Sequence, residues 1–189
     1  MAALETPEVN SGWKAAPFKL KGTDGKIHML EEVKGEKGLL VAFICNHCPY
    51  VKAVVGRFVH DANELHAMGI NTVAIMSNDT VNYPDDSFAN MEKFAQQHNF
   101  SFPYLIDETQ AVAQAYGAVC TPDFFGFNAG LELQYRGRLD ESWQLTIPDP
   151  RRELLLAMQE VASTGKASAL QYASIGCSIK WKEKKRAVK

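Results

Sequence analysis

Cys45-Asn46-His47-Cys48-Pro49 is the stretch of this 189-residue chain whose residue types and spacing carry chemistry. It directly follows an apolar run of strand length, 39–44 (LLVAFI). Val51, Val54, Val55, Phe58, Val59, Ala62 and Leu65 follow it at helical spacing. The two cysteines therefore fall where a strand meets a helix. A helix N-terminus carries about half a positive charge and unpaired N–H groups. A thiolate there is stabilised, and its pKa falls from about 8.5 into a range of roughly 3.5–7.5. Two intervening residues let the second sulfur reach the first within one helical turn. An exposed, nucleophilic Cys45 is expected to attack a substrate disulfide and Cys48 to resolve the mixed disulfide. Asn46 and His47 lie between them and set the potential. An imidazolium at His47 favours the thiolate, stabilises the reduced protein and makes the couple more oxidising. Pro49 costs nothing in the first turn of a helix.

Cys120-Thr121-Pro122 is the second feature. A proline entering the predicted strand 123–127 suits a cis peptide, and such bonds are rare enough to be purposeful. It would set a loop with free backbone groups against the cysteine pair. Cys120 reads equally as a small buried hydrophobe or as an accessory thiol. Cys177, in SIGCSIKW after a polar stretch, reads as a surface thiol able to exchange with Cys45. Cys45, His47 and Cys48 are also soft or borderline metal ligands, with Cys120 or Cys177 as a fourth. No second CxxC or HxxxH unit accompanies them, so no metal is expected there.

The elements that must position these residues follow from periodicity and turn chemistry. Residues 18–20 and 26–30 flank the turn Thr23-Asp24-Gly25, an N-terminal hairpin. The first helix ends at Gly69, and 71–77 (NTVAIMS) is a second buried strand. A helix carries Phe88, Met91, Phe94 and Ala95 on one face. Residues 102–106 form a short strand, and Asp107 caps a helix ending at Gly117. Strands 123–127 and 131–135 are joined by Asn128-Ala129-Gly130. Pro150 opens a last amphipathic helix through Leu154, Met158, Val161 and Ala162. Strands alternating with helices and then a closing hairpin predict an α/β fold with a central mixed sheet flanked by helices. One domain is expected over 1–165, with 166–189 a C-terminal segment ending in a basic tail.

Composition excludes several classes. With 46% hydrophobic and 22% charged residues, the chain is neither disordered, nor collagen-like, nor a coiled coil. No apolar run approaches the roughly 20 residues of a membrane helix, and residues 1–17 lack the apolar core of a signal peptide, so a cytoplasmic location is expected. Net charge is −2, with six Lys/Arg and one Glu in 180–189, leaving 14 basic against 21 acidic residues elsewhere. The body is thus about −7 and the tail +5, which reads as a solvated terminus rather than a nucleic-acid site. Four cysteines are too few for a disulfide scaffold, and a close pair in a cytosolic protein is catalytic or metal-binding more often than structural. No glycine-rich nucleotide motif is present, since Gly35-Glu36-Lys37-Gly38 is only a turn, and no organic cofactor is implied.

The strand–CxxC–helix unit, the later Thr-Pro before a strand and the closing hairpin resemble the thioredoxin fold. The N-terminal hairpin and the stretch 71–117 resemble its redoxin branch, the AhpC/TSA and thiol–disulfide oxidoreductase group. More narrowly, FICNHCPYV, FPYLIDETQAVAQAYGA, CTPDFF, YRGRLD and SIGCSIKW are similar to bacterial proteins named "thioredoxin family" or redoxin, over roughly residues 10–182. The resemblance implies that Cys45 is the nucleophile, Cys48 the resolving cysteine and Pro122 the cis-proline. It implies that the backbone of Thr121 pairs with a substrate strand, and that the partners are protein or small-molecule thiols and disulfides. Two positions depart from relatives: Leu39 stands where thioredoxins carry a buried Asp, and Val51 where others carry Glu. His47, Asp140 or a water is then left to take the proton of Cys48.

Peroxiredoxins share this fold with a Thr-x-x-Cys-Pro motif and an arginine. Aligning Cys-Pro on Cys-Pro puts Cys48 at the peroxidatic position, Cys45 where Thr belongs and Pro122 where the arginine belongs. Dithiol exchange is therefore the leading reading, with thiol-dependent peroxidase activity and metal binding as alternatives. The remaining polar residues have plain readings. His28, His60, His66 and His98 have no spacing partner and are expected in surface or packing roles. Asp85 and Asp86 are expected to cap a helix, and Arg136 and Arg138 to sit at a solvated strand end. Trp13 and Trp143 lie in polar segments and are placed to edge a substrate groove.

Overall fold

The computed structural model describes residues 3–7, 12–142, 144–145, 147–168 and 170–183. In chain order its elements begin with β1 (Ala3–Glu5), β2 (Lys19–Gly22), β3 (Ile27–Met29), α1 (Leu30–Val33), β4 (Gly38–Phe43) and α2 (Pro49–Ala67). There follow β5 (Ile70–Met76), a 3₁₀ turn Pro84–Asp86, α3 (Phe88–Gln97), β6 (Tyr104–Ile106) and α4 (Ala111–Tyr116). The last are β7 (Cys120–Thr121), β8 (Asp123–Asn128), β9 (Leu133–Gly137), α5 (Glu153–Thr164) and β10 (Ile175–Ser178).

Among the described residues the central sheet has seven strands in the order β3-β2-β6-β5-β4-β8-β9. β4 pairs in parallel with β5 and antiparallel with β8, so the sheet is mixed as expected. Every residue of β4 is buried, which is why its sequence is apolar without alternation. Its two faces feed two cores. Leu40 and Ala42 pack with Val51, Val54, Val55, Phe58 and Leu65 of α2, Met91 and Phe94 of α3, and Leu154 and Met158 of α5. Leu39, Val41 and Phe43 pack with Leu30 and Val33 of α1 and Val112, Ala113 and Tyr116 of α4.

The N-terminal hairpin is β2 paired with β3, and β2 joins the sheet through β6. Several boundaries differ from the sequence reading: the strand expected over 102–106 is Tyr104–Ile106, the strand expected over 131–135 is Leu133–Gly137, Leu30 opens α1 instead of ending the hairpin strand, and two helix starts move. The helix expected from Asp107 begins at Ala111, although the Asp107 carboxylate still accepts the N–H of Ala113 at 2.9 Å and so caps it from outside. The helix expected from Pro150 begins at Glu153, whose carboxylate takes both donors of Arg138, at 2.6 and 2.7 Å, and so fixes the first turn. A second sheet, β1-β10-β7, had no counterpart in the sequence pattern. Through β10 the chain after α5 returns to the body, with Cys177 set beside Cys48 at the N-terminal end of α2.

Candidate active site

Strand β4 and helix α2 place the cysteines. After Phe43 the chain leaves the sheet, with the Ile44 N–H still donating to Ile75 at 3.0 Å. Cys45, Asn46 and His47 then cross to the helix, and Cys48 is its N-cap, in extended conformation ahead of Pro49. The pair thus lies just before the helix rather than within its first turn. Cys45 and Cys48 are both buried, against the exposed nucleophile expected, and His47 is the residue of the four that keeps some exposure.

Thr121 touches both sulfurs. Its Oγ1 lies 3.3 Å from Cys45 Sγ, and its carbonyl accepts from Cys48 Sγ at 3.1 Å. The Thr121–Pro122 peptide is cis. Beside it, β10 pairs antiparallel with β7, setting Cys177 opposite Thr121 and Ser178 opposite Cys120. Cys177, expected at the surface, is buried against Cys48. The accessory thiol Cys120 is buried as well, with Sγ 3.7 Å from the Pro122 carbonyl, and burial raises its pKa strongly.

A carboxylate that the sequence reading assigned to helix capping is central here. The Asp86 side chain accepts four N–H groups: Asn46 N at 2.8 Å, His47 N at 3.4 Å, His47 Nδ1 at 2.7 Å and Asn78 Nδ2 at 2.7 Å. Ser87, not Asp85 or Asp86, precedes α3 as its N-cap. Asn46 is held at both ends of its amide: Nδ2 donates to the Asp85 carbonyl, and Oδ1 accepts from the buried Tyr104 hydroxyl at 3.0 Å. A residue pair ahead of a helix looks like a cap in any sequence, and only the fold brings YPDD against the cysteine loop.

Donors from Cys45, His47 and Asp86 lie within 4.8 Å of one another, a spacing suited to a cation. A carboxylate has about four lone-pair sites, and all of those of Asp86 are matched by N–H donors. The cluster therefore reads as a hydrogen-bonded brace, and Cys48, the third residue of the alternative metal-ligand set, is turned instead to Thr121.

The acidities of the thiols follow from who donates to whom. The neighbouring Cys45 thiol first, and then the Cys177 thiol and the Val51 and Cys177 backbone N–H groups, favour the Cys48 thiolate, outweigh burial and lower its pKa to about 5. Loss of the thiol proton gives up the bond to Thr121, a smaller cost than four donors recover. Cys45 is pushed well up: its proton is held by Cys48, it is buried, and the Asp86 charge stands nearby. Burial and then its bond to Cys48 raise Cys177 to about 12. One thiolate shared by two protonated neighbours is the resulting picture. With an ordinary value of 9.0, the Cys48 thiolate stabilises the reduced fold fully above that pH and progressively less as pH falls to about 5. Ultraviolet titration of the reduced protein is expected to show one thiolate forming near pH 5 and absent in Cys48→Ser. A first thiolate appearing only near about 8.5 would contradict this.

The family model for AhpC/TSA matches residues 11–139. The chain belongs to the AhpC/TSA family. An uncharacterized conserved protein from Geobacillus kaustophilus is 44% identical with TM-score 0.92, covering 97% of this chain and 98% of that one. A hypothetical protein from Sinorhizobium meliloti 1021 is 34% identical with TM-score 0.90, covering 95% and 99%. The thioredoxin domain of a thiol-disulfide oxidoreductase from Bacteroides vulgatus is 14% identical with TM-score 0.58, covering 68% and 89%, a likeness of fold alone. No curated protein matches the chain. The fold is thioredoxin-like, as the sequence resemblance implied.

Within this AhpC/TSA chain the other expectations resolve as follows. Leu39 and Val51 are both buried apolar positions. Asp140 is gripped by Arg57 of α2, at 2.5 and 3.2 Å, which argues against it as the proton acceptor of Cys48. His28, His60, His66 and His98 contact Asp24, Glu64, Asn71 and Phe94 respectively, away from the cysteines. Arg136 is not solvated but buried on Asp123, and the partly exposed Arg138 pairs with Glu153 against the Tyr172 ring. Their strand end is roofed by residues 171–174, a long-range contact that no local pattern encodes. Trp13 packs on Tyr116 and Phe127, on the sheet face opposite the cysteine pair, so it edges no groove there. Trp143 and residues 184–189 of the basic tail lie outside the described residues. No described helix is long and apolar enough to cross a membrane.

Proposed function

We propose that this member of the AhpC/TSA family is a cytoplasmic thiol–disulfide oxidoreductase working through a Cys45–Cys48 dithiol/disulfide couple on protein or small-molecule disulfides. The observation that carries this reading is the convergence of both sulfurs on Thr121, beside the cis peptide to Pro122. Sequence resemblance gives the first attack to Cys45, but the hydrogen-bond donors gather on Cys48. In this proposal the Cys48 thiolate therefore attacks the substrate disulfide, one substrate sulfur leaves as a thiolate, and a mixed disulfide forms. Cys45 then attacks Cys48 Sγ, releasing the second substrate thiol and closing the Cys45–Cys48 disulfide. Two protein thiols are oxidised and one substrate disulfide is reduced. The Asp86–His47 pair, within 4.8 Å of Cys45 Sγ, is placed to take the proton that Cys45 gives up. Asn46 and His47 hold the loop and with it the potential. Thr121 and Pro122 position the substrate.

Thiol-dependent peroxide reduction is a second reading, favoured by the family and by a low-pKa cysteine at a helix N-cap followed by Pro49. Against it, Cys45 and Pro122 stand where a Thr and an arginine belong, and the buried Arg136 is committed to Asp123. A thiol count in glutathione redox buffers separates the two. A reversible loss of two thiols per chain, with a midpoint between about −270 and about −120 mV, is expected. Loss of one thiol to a sulfenate with peroxide consumption would establish the peroxidase instead.

A further inference from the structure

Strand β10 occupies the edge of the Thr121 strand that the oxidoreductase reading assigns to a substrate. It is antiparallel to β7, with Cys177 directly opposite Thr121. Its backbone runs flush against the loop: a Cβ on Gly176 would lie 2.1 Å from the Thr121 carbonyl oxygen, so no side chain fits there. Both ends are tied down. Ser174 Oγ donates to the Pro122 carbonyl at 2.7 Å, and the Lys180 N–H donates to Asn78 Oδ1 at 2.8 Å. Asn78 is the same residue that donates to Asp86, so one chain of hydrogen bonds links the far end of β10 to the His47 brace. The thiol of Cys177, like that of Cys45, lies against Cys48 and favours its thiolate.

We propose that β10 is a built-in substrate mimic and that Cys177 is a third redox cysteine, which forms a disulfide with Cys48 while the strand is docked. The inference rests on the thiol–disulfide oxidoreductase reading and adds the internal partner of its site. The chemistry balances with a low-molecular-weight disulfide as oxidant. The Cys48 thiolate attacks RSSR, giving Cys48–S–S–R and RS⁻. Cys177 then attacks Cys48 Sγ, its proton passing to solvent base, and a second RS⁻ leaves. The protein loses two thiols and RSSR becomes two thiols. An external protein disulfide reaches the buried Cys48 only as β10 leaves its place, so a docked Cys48–Cys177 disulfide is the locked form of the site. Cys45 reopens it by attacking Cys48 Sγ and freeing Cys177.

The test is oxidation of the full-length reduced protein with glutathione disulfide, alkylation of the remaining thiols, and peptide mass mapping of wild type and Cys177→Ser. A linked Cys48–Cys177 peptide pair is expected in wild type. Cys177→Ser, which keeps the size of the side chain, is expected to carry Cys45–Cys48 instead. Gly176→Ala, which pushes the strand from Thr121, is expected to raise the alkylation rate of Cys48 in the reduced protein by about tenfold. A Cys45–Cys48 link alone in wild type would overturn the inference and leave the oxidoreductase reading standing. A Cys48–Cys177 link in wild type with no link in Cys177→Ser would support the inference and remove Cys45 from its role. No protein disulfide in either would overturn both.

Discussion

Cys48→Ser is expected to lower protein-disulfide reduction by about a thousandfold or more, whereas Cys45→Ser is expected to halt with the substrate still attached. The asymmetry comes from the helix. Cys48 caps α2 and collects hydrogen bonds from two thiols and two backbone N–H groups, and this lowers its pKa to about 5. At neutral pH it is therefore a thiolate, the form that attacks. Cys45 donates to that thiolate and faces the Asp86 charge, so it stays protonated until the mixed disulfide removes the negative charge beside it. A serine at 48 leaves no nucleophile. A serine at 45 leaves a nucleophile without its resolving thiol, and with β10 displaced by the protein substrate Cys177 is out of reach as well, so a covalent adduct accumulates on Cys48. Insulin reduction with dithiothreitol as donor measures the first effect, and non-reducing electrophoresis followed by mass mapping of the trapped species measures the second. An adduct trapped on Cys45 in Cys48→Ser, with none on Cys48 in Cys45→Ser, would reverse the two roles.

Arg136→Ala is expected to destabilise the protein by about 3–5 kcal/mol at neutral pH, the cost of orphaning a buried charge. Arg136 binds Asp123 through two nitrogens, at 3.3 and 2.9 Å, donates to the Gly117 carbonyl at 2.8 Å and lies over the Phe125 ring. Asp123 has no exposed surface and follows Pro122 directly, and its carboxylate also accepts the Val119 N–H. Burial outweighs the arginine and raises the Asp123 pKa from 3.8 to about 6. A carboxyl raised on folding favours the native state at low pH and loses that contribution as pH climbs through the folded value. Without the arginine the folded value rises further, so the deficit of Arg136→Ala is largest above pH 6 and shrinks on acidification. Urea unfolding of both proteins at pH 5 and pH 7.5 checks this. A deficit that grows toward acid would mean that the pair is not held as described.

Much of the scaffold was legible because its signals are local. The unbroken apolar run of β4, the 3–4 spacing of Val51, Val54, Val55 and Phe58, and the Thr23-Asp24-Gly25 turn each state their own structure. The cysteine pair and the Thr121–Pro122 loop were legible for the same reason. What was not legible is what long-range contact decides. Asp86 sits in a sequence that looks like a helix start, and its role depends on β4 delivering Asn46 and His47 to it. Cys177 follows a polar stretch, and its burial depends on a strand of four residues meeting a strand of two, both too short to show periodicity. Arg136 looks like a polar strand end because its carboxylate partner, Asp123, stands at the start of the neighbouring strand β8. The relative acidity of Cys45 and Cys48 was likewise hidden, since it turns on which thiol collects its neighbours' donors and on a third cysteine more than a hundred residues away.

The order in which the chain is made gives the second sheet a further meaning. A ribosome that has released the chain as far as Gly165 has already delivered every strand of the seven-stranded sheet, the cysteine pair and the Thr121–Pro122 loop. It has not yet delivered β10, the strand that covers them. Chain order thus places the strand that covers the thiol centre after every element that builds it, and closure of the centre waits on the docking of β10.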